Sequence, residues 1–183
     1  MRPSHHSRQL GASLLEVLVA ILILSFGMLA LSGLLAFSVQ APKLAAYRAT
    51  ATSLAASHIE RMRANPAGFG LDSYKETMTY NTTLPTLTPC AYPACTPDSI
   101  AAFDKSDTNA TIRRQLPQGG MRVSCNGACG TLDGDIWVIW LEPSTFASLD
   151  TASSDECPDP TSAPTFTPFT SPKPRCLHIR FKL

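Results

Sequence analysis

One carboxylate stands where a carboxylate is hard to place. Glu16 is the only charged residue between Ala12 and Pro42, inside the run GASLLEVLVAILILSFGMLALSGLLAFSV that extends from Gly11 to Val39. A charge near the centre of a bilayer costs about 2.5–3.5 kcal/mol on insertion scales, so an acid in such a run calls for a counter-charge or a task. The remaining reactive side chains are of another kind. Six cysteines, Cys90, Cys95, Cys125, Cys129, Cys157 and Cys176, all lie downstream of the apolar run. An even number beyond a membrane segment points to disulfides made in an oxidising compartment, and six cysteines permit 15 pairings. Cys90 and Cys95 could close a small loop, and Cys157 and Cys176 bracket a proline-rich tract. Metal binding is the weaker alternative, because a zinc ribbon needs two suitably spaced pairs and Cys125-x3-Cys129 does not supply one.

Catalytic patterns are missing. There is no Walker loop, no His-Glu-x-x-His and no Gly-x-Ser-x-Gly. Of four histidines, two sit in the polar start of the chain, leaving His58 and His178, which is little material for acid–base chemistry. Asp133, Asp135, Asp150, Asp155, Glu156 and Asp159 could gather as oxygen ligands, but they lack calcium-loop spacing and read as solvated loop acids. The chain is therefore expected not to be an enzyme and to carry no cofactor or metal. Net charge is +1 and charged residues make up 16%, with Arg113-Arg114 the nearest approach to a basic patch, so a nucleic-acid partner is not expected. Trp137 and Trp140 could line a binding surface, with core packing the preferred reading.

These residues need elements to position them. The Gly11–Val39 run exceeds the ~20 apolar residues that a membrane-spanning helix requires. Arg2 and Arg8 precede it, favouring a cytoplasmic N-terminus. A secretory signal would have a shorter apolar core and a small-residue cleavage site, for which Ala30-Leu31-Ser32 is a poor candidate. A plain anchor fits the length and leaves Glu16 unexplained. Beyond Pro42, expected to kink the helix, Leu44, Tyr47, Ala51, Leu54, Ala55, His58 and Met62 fall on one helical stripe. Lys43, Arg48, Ser53, Glu60 and Arg63 fall largely elsewhere, and Asn65-Pro66 with Gly68 ends the helix. His58, on the apolar stripe, reads as a structural histidine.

The remainder divides into a Thr/Pro-rich connection over 68–97 with a short strand at Glu76–Asn81, and a helix near Asp98–Arg114 with Ile100, Phe103 and Ile112 as apolar contacts. Met121–Cys125, Asp135–Leu141 and Cys176–Leu183 read as strands, the second apolar on both faces as a central strand would be. Asn126-Gly127 and Asp133-Gly134 read as turns. Ser144–Arg175 holds six prolines from Pro158 to Pro174 and reads as a surface loop.

The order basic leader, Gly11, Ala12, Ser13, Leu14-Leu15, Glu16, apolar helix resembles the class III signal of type IV pilins and type II secretion pseudopilins. The tract Arg61-Met62-Arg63-Ala64-Asn65-Pro66, with Ala94-Cys95-Thr96-Pro97-Asp98 and Leu116-Pro117-Gln118-Gly119-Gly120, narrows the resemblance to the PilV family of minor pilins, the type IV pilus modification proteins. These segments cover about half the chain. The resemblance implies an α+β, type IV pilin-like fold: a long N-terminal helix, membrane-spanning in its first half, packed on a small antiparallel sheet with a disulfide-closed C-terminal loop. It divides the chain into a leader at 1–11, a membrane and assembly half of the helix at 12–41, an amphipathic half at 42–66 and a head at 67–183.

It further implies cleavage by a prepilin peptidase between Gly11 and Ala12 and N-methylation at Ala12, where most members have Phe. Glu16 would serve subunit assembly by pairing with a neighbouring subunit's N-terminal amine. Implied partners are other minor pilins, the major pilin and a tip adhesin. The implied location is the bacterial inner membrane with a periplasmic head before assembly, and the extracellular pilus after it. The implied function is initiation of pilus assembly, in support of adhesion and twitching motility. A type II secretion minor pseudopilin shares Leu15–Ala20 and is the alternative; a membrane-anchored extracytoplasmic binding module is the alternative of another class.

Overall fold

The computed structural model describes residues 13–77, 83–84, 86–87, 89–91, 93–142, 157–158 and 174–183. The leader, Gly11 and Ala12 lie outside the described residues, as do most of the proline-rich tract and residues 78–81 of the expected short strand. Two compact units divide after Lys43. Helix α1 is assigned over Leu14–Ala64, with Pro42 inside the helical span, so the proline does not end the helix. Its ring removes the N–H that would bond the Ser38 carbonyl.

In the first unit the large apolar side chains of α1 are exposed, from Leu14 through Phe26 and Leu35 to Val39. The helix is long and apolar enough by length and composition to cross a membrane. Two of its serines satisfy their hydroxyls within the helix, Ser25 donating to the Ile21 carbonyl and Ser32 to that of Met28, each at 2.8 Å. A hydroxyl bonded this way adds little cost in lipid.

The second unit, from Leu44 onward, is built on the amphipathic part of α1. Ala51, Ala55, His58, Ile59 and Met62 are buried, and Tyr47 and Leu54 pack partly against them. Lys43, Arg48, Ser53, Glu60 and Arg63 are exposed, so the helical stripe read from sequence is the buried face. Asn65 then caps the short α2 (Pro66–Gly70), its side chain accepting from the Gly68 N–H. Helix α3 spans Pro97–Gln115 and opens on a capping box: Thr96 accepts from the Ser99 N–H and the Ser99 hydroxyl accepts from the Thr96 N–H.

Strands β1 (Gly120–Cys125), β2 (Asp133–Trp140) and β3 (Arg175–Lys182) form an antiparallel sheet in the order β1-β2-β3. The central β2 buries Ile136, Val138, Ile139 and Trp140, which is why it reads apolar on both faces. Val123, Ile136, Val138 and Phe181 close on Met62, Phe69, Tyr74, Ile112 and Leu116 to make one core.

Two expectations are corrected. Asp133-Gly134 is no turn; it begins β2, with Asp133 opposite Lys182 and Gly134 opposite Phe181. The β1–β2 connection is instead Asn126–Leu132, closed by a 3-10 turn at Cys129–Thr131 and by Leu132 at φ 58. Gly134 is a glycine for packing: a Cβ there would stand 2.8 Å from the Ser124 carbonyl oxygen and 2.9 Å from the tip of Phe181. The expected strand at Glu76 is, among the described residues, a single bridge to Val123.

Candidate functional site

Glu16 lies in the first turn of α1, where the helix dipole favours an acid, and its own N–H bonds the Ser13 carbonyl at 2.9 Å. Its side chain is exposed among apolar neighbours. Gly11 and Ala12, the residues of the cleavage and methylation expected here, lie outside the described residues.

Where α1 meets α3 in the second unit, the contact is polar. Arg61 reaches Asp107 at 2.6 Å and Asp104 at 3.2 Å. Asp104 also accepts from the buried Tyr74 hydroxyl at 2.5 Å, and Asn65 donates both to Tyr74 Oη and to the Pro97 carbonyl. Burial, reinforced by the Asp104 carboxylate, holds the Tyr74 hydroxyl well above its ordinary pKa, so it stays a donor. His58 is fully buried, with Nδ1 2.9 Å from Thr108 Oγ1 and its ring edge-on to Tyr74. Burial pushes its pKa down to about 3, helped by Arg61 and Lys105, so the ring is neutral and structural. Glu76 accepts from Asn109 Nδ2 at 3.0 Å while its Oε2 is buried without a partner. Burial raises its pKa to about 7, against the opposing pull of Lys105 and the Asn109 bond.

This seam was invisible in the pattern of apolar residues. The expected contacts Ile100 and Phe103 are only half-buried, and α3 instead buries Asp104, Ser106, Thr108 and Asn109 beside Ala101 and Ile112. The available signal was Arg61, a cation one turn beyond a histidine on the buried stripe.

The six cysteines form three bridges, Cys90–Cys95, Cys125–Cys129 and Cys157–Cys176. Asp72 lies close to Cys125 and Cys129, but sulfurs joined to each other are not metal ligands. Cys176 stands opposite Ile139 and Arg175 opposite Trp140, so the third bridge sits at the end of the β2–β3 ladder. There Glu142 and Arg175 make a nearly buried ion pair at 3.1 Å.

On the opposite face of the sheet from the core, Arg122, Trp137 and His178 are directly opposed across the three strands. His178 stacks on Trp137 with centroids 4.7 Å apart, and the Arg122 guanidinium lies 5.3 Å from the same ring. With neighbours on both strands, Trp137 is packed rather than presented; Trp140 is in the core. Asp135 meets His178 at 2.8 Å and Asp133 meets Arg180 at 3.1 Å, so these two acids hold the sheet. The other four acids considered as ligands lie outside the described residues.

A long N-terminal helix with an apolar stretch, a small antiparallel sheet and bridging disulfides make this a type IV pilin fold. Family comparisons agree with that class. The prokaryotic N-terminal methylation motif matches residues 6–32, and the family of type IV pilin Tt1218 matches residues 33–106. No curated protein and no solved structure matches the chain. The two adjoining matches support a type IV pilin, a structural class of protein, and the motif with the apolar helix suits membrane anchoring and incorporation into a pilus.

Proposed function

We propose that the chain is a minor pilin of the PilV type, acting with other minor pilins in a priming or tip complex that starts the pilus and thereby supports adhesion and twitching. The observation that carries the reading is Glu16, a lone acid in the first turn of an exposed apolar helix, within the matched methylation motif. In this reading a peptidase cuts between Gly11 and Ala12, and the new amine at Ala12 is methylated. Residues 12–41 serve membrane residence and assembly, 42–66 tie the helix to the head, and 67–183 are the head, periplasmic before assembly. A carboxylate and an amine from neighbouring subunits neutralise each other in lipid, which makes assembly register-specific. The Arg61–Pro66 tract is in keeping with the same assignment, since Arg61, Met62 and Asn65 are among the residues by which the end of α1 meets α3 and the core.

The test is the N-terminal sequence and mass of the protein from cells with and without their prepilin peptidase, joined to a deletion. A chain that starts at Ala12 only when the peptidase is present, together with loss of pili on deletion, is the expected result. Loss of protein export with pili intact would assign it to type II secretion instead. An uncut leader would sink the filament reading.

A further inference from the structure

The tip of the β1–β2 loop, inside the Cys125–Cys129 bridge, is outside every role described so far. Asn126, Gly127 and Ala128 are all exposed there. Gly127 has φ +82, and nothing lies within 4 Å of where a Cβ would stand, so the space beside it is open. Asn126 N–H donates to the Asp133 carbonyl at 3.0 Å, but among the described residues no backbone bond engages the Gly127 N–H. An asparagine amide and a free, unhindered backbone nitrogen are thus adjacent in water.

The two other described asparagines are built differently. Asn65 is buried and followed by Pro66, whose nitrogen has no proton to lose. Asn109 is fully buried inside α3, where the next nitrogen is committed to the helix ladder.

We propose that Asn126 is a site of spontaneous deamidation, with the Gly127 amide nitrogen as nucleophile and water as the only co-reactant. The nitrogen loses its proton to solvent base and attacks Asn126 Cγ. The N–Cγ bond forms, the Cγ–Nδ2 bond breaks, and the amide leaves as ammonia, giving a cyclic imide. Water then opens the ring. Cleavage at Cγ leaves aspartate on the ordinary backbone; cleavage at the main-chain carbonyl leaves isoaspartate. No electrons change hands. The product puts a carboxylate where the Asn126 side chain donates to Asp133, so Arg180, now paired with Asp133 at 3.1 Å, faces two anions.

The test is a time course on the purified full-length chain in detergent micelles at mildly alkaline pH, read by peptide mass mapping with electron-transfer fragmentation. Conversion at Asn126 to both aspartate and isoaspartate is expected, with Asn65 and Asn109 unchanged over the same period. Gly127→Ala should slow it several-fold, because a methyl crowds the attacking nitrogen. If that variant misfolds, the wild-type course alone decides. An intact Asn126 over a period in which the urea-unfolded chain converts would overturn the site. Aspartate without isoaspartate would overturn the nucleophile, since only the imide gives both.

Discussion

Arg61 and Asp107 lie 2.6 Å apart across the α1–α3 seam although 46 residues separate them in sequence. The same guanidinium holds Asp104, whose side chain is only 11% exposed. Surface ion pairs contribute ~0–1 kcal/mol, whereas removing one partner of a buried pair costs ~3–5 kcal/mol. Arg61 is 35% exposed, so the seam falls between these limits. Arg61→Ala is expected to destabilise the chain by about 2 kcal/mol, and Arg61→Lys by less, because lysine keeps the charge but not the two-pronged geometry. Urea unfolding of the detergent-solubilised protein reads both. Equal stability of Arg61→Ala and wild type would mean that the pair is solvated rather than structural.

One buried and one half-buried group predict a pH profile of opposing parts. Glu76 is raised to about 7 from 4.5, so between those values the folded state binds the extra proton and stability falls as pH rises. His58 is lowered to about 3 from 6.5, so between those values the unfolded state binds the extra proton and stability rises with pH. From about 4.5 to 6.5 the two slopes oppose, and wild type should be nearly flat. Glu76→Gln removes the falling part and uncovers the rise from His58. Unfolding midpoints between pH 4 and 8 decide it: parallel profiles for wild type and Glu76→Gln would exclude a protonated Glu76.

What could be read in advance follows the residues that obey apolar periodicity. The stripe from Leu44 to Met62 and the alternating β3 obeyed it, because each buries carbon against one core. Strand β2 was legible instead as a run apolar on both faces, with Ile136 and Val138 toward that core and Ile139 buried on the other side. Helix α3 did not, since its inward face is Asp104, Thr108 and Asn109, partnered by residues 30 to 50 positions away. A buried polar residue has the same letter as a solvated one, and only its distant partner tells them apart. Asp133-Gly134 misled for a related reason. The dipeptide is a strong hairpin signal when glycine supplies backbone freedom, but Gly134 is there to leave room for two aromatic rings. Glu16 stands out in the sequence because a charge in an apolar run has few structural uses, and its assembly role belongs to the proposed function.

That use of Gly134 is open to measurement. Gly134→Ala would set a methyl 2.8 Å from the Ser124 carbonyl oxygen, 2.9 Å from Phe181 and 3.0 Å from Phe69. The rings are packed edge-on to each other at 5.6 Å, so neither yields freely. Overpacking of this kind typically costs about 1–3 kcal/mol. Adding Phe181→Leu should recover part of that cost if the clash is with the ring. Additive effects of the two changes would instead place the strain in the Ser124 backbone.

The cysteine bridges should differ in weight according to the chain each one closes. Cys157–Cys176 spans 19 positions and Cys125–Cys129 spans 4. In the chain-entropy account, closing the longer loop removes more freedom from the unfolded state, about 3 kcal/mol against about 2 kcal/mol. The folded state adds to the contrast, because Cys176 sits opposite Ile139 beside the buried Glu142–Arg175 pair, whereas Cys125–Cys129 closes a loop whose tip is exposed. The double replacement Cys157→Ser with Cys176→Ser is therefore expected to lower the thermal midpoint more than Cys125→Ser with Cys129→Ser. Replacing both partners at once avoids leaving a reactive thiol that could exchange with the other bridges. Should the short bridge prove the costlier to lose, its weight would lie in native packing of the buried Cys129 and not in the length of chain it closes.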